Sequence, residues 1–104
     1  MDLPYKVMVD DNFHYMDEDE RREHGRYATL EEAVAACEAL VDSSLEESYR
    51  AGMTAEELLA QYALFGDDPF IMAPPEGPTG VLFSARRYAQ ERAPAIWAEL
   101  SAKR

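Results

Sequence analysis

Cysteine is nearly absent from this sequence: Cys37 stands alone in 104 residues. One thiol closes no internal disulfide, so the fold must hold without a disulfide framework, and a reducing, cytoplasmic setting is expected. Long apolar runs are missing as well. No stretch approaches the roughly 20 residues that a membrane span requires, and Met1–Asp11 (MDLPYKVMVDD) lacks the basic start and apolar run of a secretory leader. Basic residues are few. Ten Lys and Arg face 21 Asp and Glu, for a formal net charge of −11. Such a surface repels nucleic-acid phosphates and anionic lipid, and it favours basic partners or plain solubility. Neither nucleic acid nor membrane is expected as a partner. The imbalance is uneven: residues 1–83 carry 19 acidic and 5 basic side chains, whereas residues 84–104 carry 2 acidic and 5 basic.

Familiar catalytic and metal patterns are missing too. There is no H-E-x-x-H and no paired C-x-x-C, and an EF-hand fails for want of its central glycine and terminal glutamate. Ser84 lies in GVLFSAR rather than in a G-x-S-x-G elbow, and a helix cap explains it fully. Gly77 and Gly80 sit among prolines without the Lys–Ser/Thr of a phosphate loop. Cys37 falls on the inner face of a helix, not at a helix start where a thiolate would be stabilised, so a buried, inert thiol is expected. The pattern points away from an enzyme and calls for no cofactor.

The chain is 47% hydrophobic, enough for a real core in one globular domain. That core is expected to centre on Thr29–Gly52. Leu30, Ala33, Val34, Cys37, Leu40, Val41, Leu45 and Tyr49 recur with the spacing of one helix face. Thr29 and Glu32 form a capping box, and Gly52 can take the left-handed conformation that closes a helix. Asp42–Ser43–Ser44 is the weak point, since all three side chains prefer local bonding to a helix interior. A second helix is predicted over Ala55–Phe65, capped by Thr54 with Glu57, with an apolar stripe of Ala55, Leu58, Leu59, Tyr62 and Phe65 and a stop at Gly66.

Around these helices, Tyr5–Val9 alternates like a half-buried strand, and His24–Ala28 reads as a second strand with Tyr27 inward. Asp10, Asp11 and Asn12 favour a turn, as do Asp67, Asp68 and Pro69. Phe70–Ala73 reads as a third strand, Ala73–Gly80 as a surface loop and Val81–Phe83 as a brief extended segment. A last helix capped by Ser84 presents Ala85, Tyr88, Ala89, Ala93, Ile96, Trp97 and Leu100. Pro94 is expected to kink or break it. The expected architecture is α+β in the order β-β-α-α-β-α. A small, mainly antiparallel sheet of two to four strands lies under the long helix and two others, in one domain over 1–104 with 94–104 a helical extension.

The runs YKVMVDDNFHYMDEDERREHGRY, TLEEAVAAC, YALFGDDPFI and FSARRYA resemble a family of small bacterial proteins of this chain's size. The resemblance covers residues 5–90 and implies a compact cytoplasmic α+β domain. It brings no established activity, substrate or cofactor with it.

One segment concentrates candidate functional groups. Phe13, His14, Tyr15 and Met16 interrupt the polar stretch Asp10–Glu23, and large apolar groups in such a place cover a core or meet a partner. Beside the acidic run they form a candidate interaction surface for a basic protein partner. The alternative is a small-molecule or divalent-metal site using His14 with Asp10 and Asp17, because imidazole and carboxylate together suit zinc, manganese or iron. The sheet edge allows either a monomer or a homodimer.

Overall fold

Strand alternation and two capping boxes set most of the layout locally, and long-range pairing adjusts it. The computed structural model of the chain describes residues 3–11 and 22–102. Its elements are β1 (Tyr5–Asp11), β2 (Arg22–Tyr27), α1 (Leu30–Ser48), α2 (Ala55–Phe65), β3 (Asp67–Met72) and α3 (Ala85–Ala102). This is the α+β fold expected, in the order expected. The strands make one antiparallel sheet, β2-β1-β3, with β1 in the middle.

Alternation along β1 buries Val7 and Val9 completely and leaves Lys6, Met8 and Asp10 half-buried on the other face. The register carries this division across the sheet: Tyr5 lies opposite Tyr27, Val7 opposite Ile71 and Val9 opposite Pro69. Tyr27 packs inward, as its sequence position predicts. β2 carries His24 as an extra residue between the partners of Val7 and Met8, a bulge that leaves this imidazole exposed.

α1 begins as its capping box dictates, with the Glu32 N–H donating to Thr29 Oγ1 and the Thr29 N–H donating to Glu32 Oε1, both at 3.2 Å. Its first half lays Ala33 and Cys37 on Val7 of the sheet. The second half turns Val41 and Leu45 toward α2 and α3, where Leu58, Tyr62, Ala85, Ala89, Ala93 and Ile96 complete a larger core. α2 packs mainly on α3, and α3 packs on both α1 and α2. Phe83, just before α3, touches both clusters.

Several local expectations give way to tertiary contacts. Asp10 and Asp11 do not turn but continue β1, paired with Asp68 and Asp67. For the same reason Asp67–Pro69 opens β3; Pro69 is tolerated there because β3 is an edge strand, and it is fully buried. α1 ends at Ser48 with Tyr49 as an extended C-cap, and Gly52 (φ 90°) serves the turn that follows. Gly66 caps α2 with φ −79°, so its left-handed freedom is not used. A Cβ there would collide with the Tyr62 ring, and close approach is what requires glycine. Phe65 leaves the α2 core stripe and is 50% exposed. No strand forms at Val81–Phe83, and Val81 is 85% exposed. α3 runs through Pro94 without a break: the proline is exposed, while Ala93 and Ile96 beside it are buried.

Candidate functional site

On α2, Leu58 and Tyr62 face the core. Glu56, Leu59, Ala60 and Ala63 make a second stripe at i, i+3, i+4 and i+7. Its two alanines leave room beside α3. Together with Arg86 and Gln90 of α3, Tyr62, and Asp68 of β3, this stripe lines a cleft of about 730 Å³. The Trp97 indole N–H donates to the Met53 carbonyl at 2.6 Å, just before α2. Arg86, at the start of α3, acts electrostatically on Asp68, just after α2. The two helices therefore run in opposite directions, and the cleft follows their seam.

Asp67, the neighbour of Asp68, fixes the β3 side of the cleft. Its backbone N–H donates to Ser44 Oγ of α1 at 2.9 Å, and its carbonyl accepts the Tyr62 hydroxyl of α2 at 2.6 Å. Its side chain accepts from Arg22 of β2 at 3.0 Å, across the middle strand. Two helices and the far strand thus meet on one residue, and this sets where its neighbour Asp68 stands. Burial pushes the Tyr62 hydroxyl well above its ordinary range, with the Asp68 and Asp67 charges adding to it. That group is a locked donor.

Asp68 differs from its neighbour. Among the described residues its carboxylate has no hydrogen bond and no ion pair. Burial raises its pKa above the ordinary value, the charge of Asp10 across the ladder raises it further, and Arg86 opposes the shift. A half-buried carboxylate, an exposed guanidinium and an exposed Glu56 therefore share the lining with Leu59, Ala60 and Ala63. A perturbed carboxylate in a cleft of this size is a functional candidate on physical grounds.

A separate polar cluster links α1 to α3. Asp42 Oδ1 accepts from Tyr88 Oη at 2.9 Å and from Arg92 Nε at 3.1 Å. Burial first, then this hydrogen bond, pushes the Tyr88 hydroxyl up to about 12. Asp42 and Ser44, two of the three helix-weakening residues of the sequence, make hydrogen bonds that tie α1 to its neighbours, while Ser43 is exposed.

Of the residues singled out from sequence, Asp10 lies in β1, opposite Asp68 and adjoining the cleft through it. Phe13, His14, Tyr15, Met16 and Asp17 lie outside the described residues. Among the described residues there is no group of three or more His, Cys, Asp or Glu placed to hold a metal. Cys37 is fully buried, and burial pushes its thiol up to about 12, as expected of an inert core cysteine. The cleft residues Glu56, Asp68, Arg86 and Gln90 escaped sequence reasoning. The second stripe on α2 was a signal for part of the site; Asp68 was hidden inside an apparent turn.

No helix among the described residues is long and apolar enough to cross a membrane. Comparison of the chain with family models, with curated proteins and with solved structures found no match.

Proposed function

We propose that this chain is a non-catalytic interaction or accessory domain of the cytoplasm, and that it binds a basic protein partner. The observation that carries this reading is the cleft along α2 and α3, whose lining sets Glu56 and Asp68 among Leu59, Ala60 and Ala63 in a protein of net charge −11. Charge complementarity of this kind steers a basic partner and selects against acidic ones. Two nucleophile candidates of the sequence have structural employment: Cys37 is packed against the sheet, and Ser84 Oγ caps α3 by accepting the Arg87 N–H at 3.2 Å.

The test is affinity capture from source lysate, followed by calorimetry with the purified partner at low and high salt. A basic protein whose affinity falls as salt rises is the expected result. Capture of no basic protein, or of one whose affinity ignores salt, would overturn the reading.

A further inference from the structure

Building on that reading, we propose that the α2–α3–β3 cleft receives a basic amphipathic helix of the partner, with Asp68 and Glu56 holding its cationic side chains. Leu59, Ala60 and Ala63 then take its apolar stripe. Three observations carry this. The first is shape. Glu56 to Ala63 spans about 10 Å along α2 at the helical rise, and the alanines keep the groove open between two antiparallel helices. An amphipathic helix lays its own i, i+3, i+4, i+7 stripe into such a groove.

The second is unspent charge. Three other carboxylates are engaged: Asp67 with Arg22, Asp42 with Arg92 and Glu23 with Arg26. Among the described residues, Asp68 and Glu56 have no such partner. Asp68 is half-buried beside Asp10, so a lysine or arginine offered through the cleft would gain more there than at a fully solvated carboxylate.

The third is Arg86. It lies on the same cleft and acts on Asp68 through its charge, without a close ion pair among the described residues. It leaves the carboxylate's acceptor sites open and disfavours a cation set next to the guanidinium itself. The partner helix is therefore basic where it meets Asp68 and Glu56, and uncharged or acidic where it meets Arg86.

The probe is a synthetic amphipathic peptide of leucine and lysine, compared with its leucine and glutamate counterpart and titrated into the full chain by calorimetry. The lysine peptide binds, and the glutamate peptide binds more weakly or not at all. Asp68→Asn and Glu56→Gln each weaken the lysine peptide about fivefold, the scale of one partly exposed ion pair. Ala63→Trp, which fills the cleft, abolishes binding. Arg86→Gln strengthens it, which loss of structure could not do. The controls are Glu31→Gln and Glu46→Gln, exposed carboxylates outside the cleft that each remove one charge, as each cleft variant does. If these controls weaken the peptide as much as the cleft variants do, binding is diffuse and the cleft assignment is overturned, while the basic-partner reading survives. If the lysine peptide fails to bind at all, the assignment is likewise overturned, and the lysate capture then decides the broader reading.

Discussion

The two halves of α1 do different work. The first half buries Ala33 and Cys37 against Val7, with Tyr5, Tyr27 and Ile71 partly covering the contact. The second buries Val41 and Leu45 among six residues of α2 and α3. One cluster is a thin layer between a helix and a three-stranded sheet; the other is a three-helix core. The same helical spacing serves both, so periodicity alone does not say that one face will meet two kinds of partner. The difference teaches where stability resides. The helical cluster contains more buried side chains and the larger ones, and it supports the walls of the cleft.

Paired core truncations are the strongest way to break this comparison. Leu45 and Val7 are both fully buried, one in each cluster. Leu45→Ala is expected to cost 2–5 kcal/mol, roughly, through lost transfer energy and the cavity left behind. Val7→Ala removes two methyl groups and is expected to cost about 2 kcal/mol at roughly 0.8 kcal/mol per buried carbon. Urea unfolding of both variants measures the gap. A Val7→Ala loss larger than that of Leu45→Ala would reverse the ranking and make the sheet side dominant.

The boundary between the halves is the next target. Ser44 is 7% exposed and accepts the Asp67 N–H at 2.9 Å. Ser44→Ala leaves that donor without its partner and is expected to cost about 1–3 kcal/mol, the range for an unsatisfied buried polar group. The effect should reach beyond α1, because the same residue anchors the start of β3. Amide hydrogen exchange in Asp67–Met72 should quicken more than exchange in Tyr5–Val9. Equal quickening of both strands would show that the sheet responds as one unit.

Much of this fold was legible because its signals are local. Thr29 with Glu32 and Thr54 with Glu57 announce two helix starts, and both boxes form. Alternation in Tyr5–Val9 announces the middle strand. What stayed hidden depends on contacts distant in sequence. Asp67 and Asp68 read as a turn by their own propensity, and become a strand only because β1 pairs with them while Ser44 and Tyr62 bind the Asp67 backbone. Asp42 and Ser44 read as defects of a helix because their partners, Tyr88, Arg92 and Asp67, lie 23 to 50 residues away. The cleft was hidden for a related reason: its lining comes from α2, β3 and α3, and no single stretch carries its pattern.

The smallest effect has the opposite sign and separates the cleft from the cores. Burial and the charge of Asp10 hold the Asp68 carboxyl above its ordinary value of 3.8, against the pull of Arg86. The folded chain therefore binds this proton more tightly than the unfolded chain does, and ionising the group weakens the fold. That burden is fully present at neutral pH, eases as pH falls through the raised pKa, and is gone below 3.8. Asp68→Asn removes it, so the variant should unfold at a higher urea concentration than wild type at pH 7, with the two curves converging toward pH 3.8. Leu45→Ala and Ser44→Ala cost stability at neutral pH, whereas Asp68→Asn adds it. A carboxylate that weakens its own fold and faces an open cleft is better matched to a ligand's charge than to any group the chain supplies. Urea midpoints for Asp68→Asn that fall below wild type at pH 7 would instead make Asp68 a structural residue, and the cleft would lose its anchor.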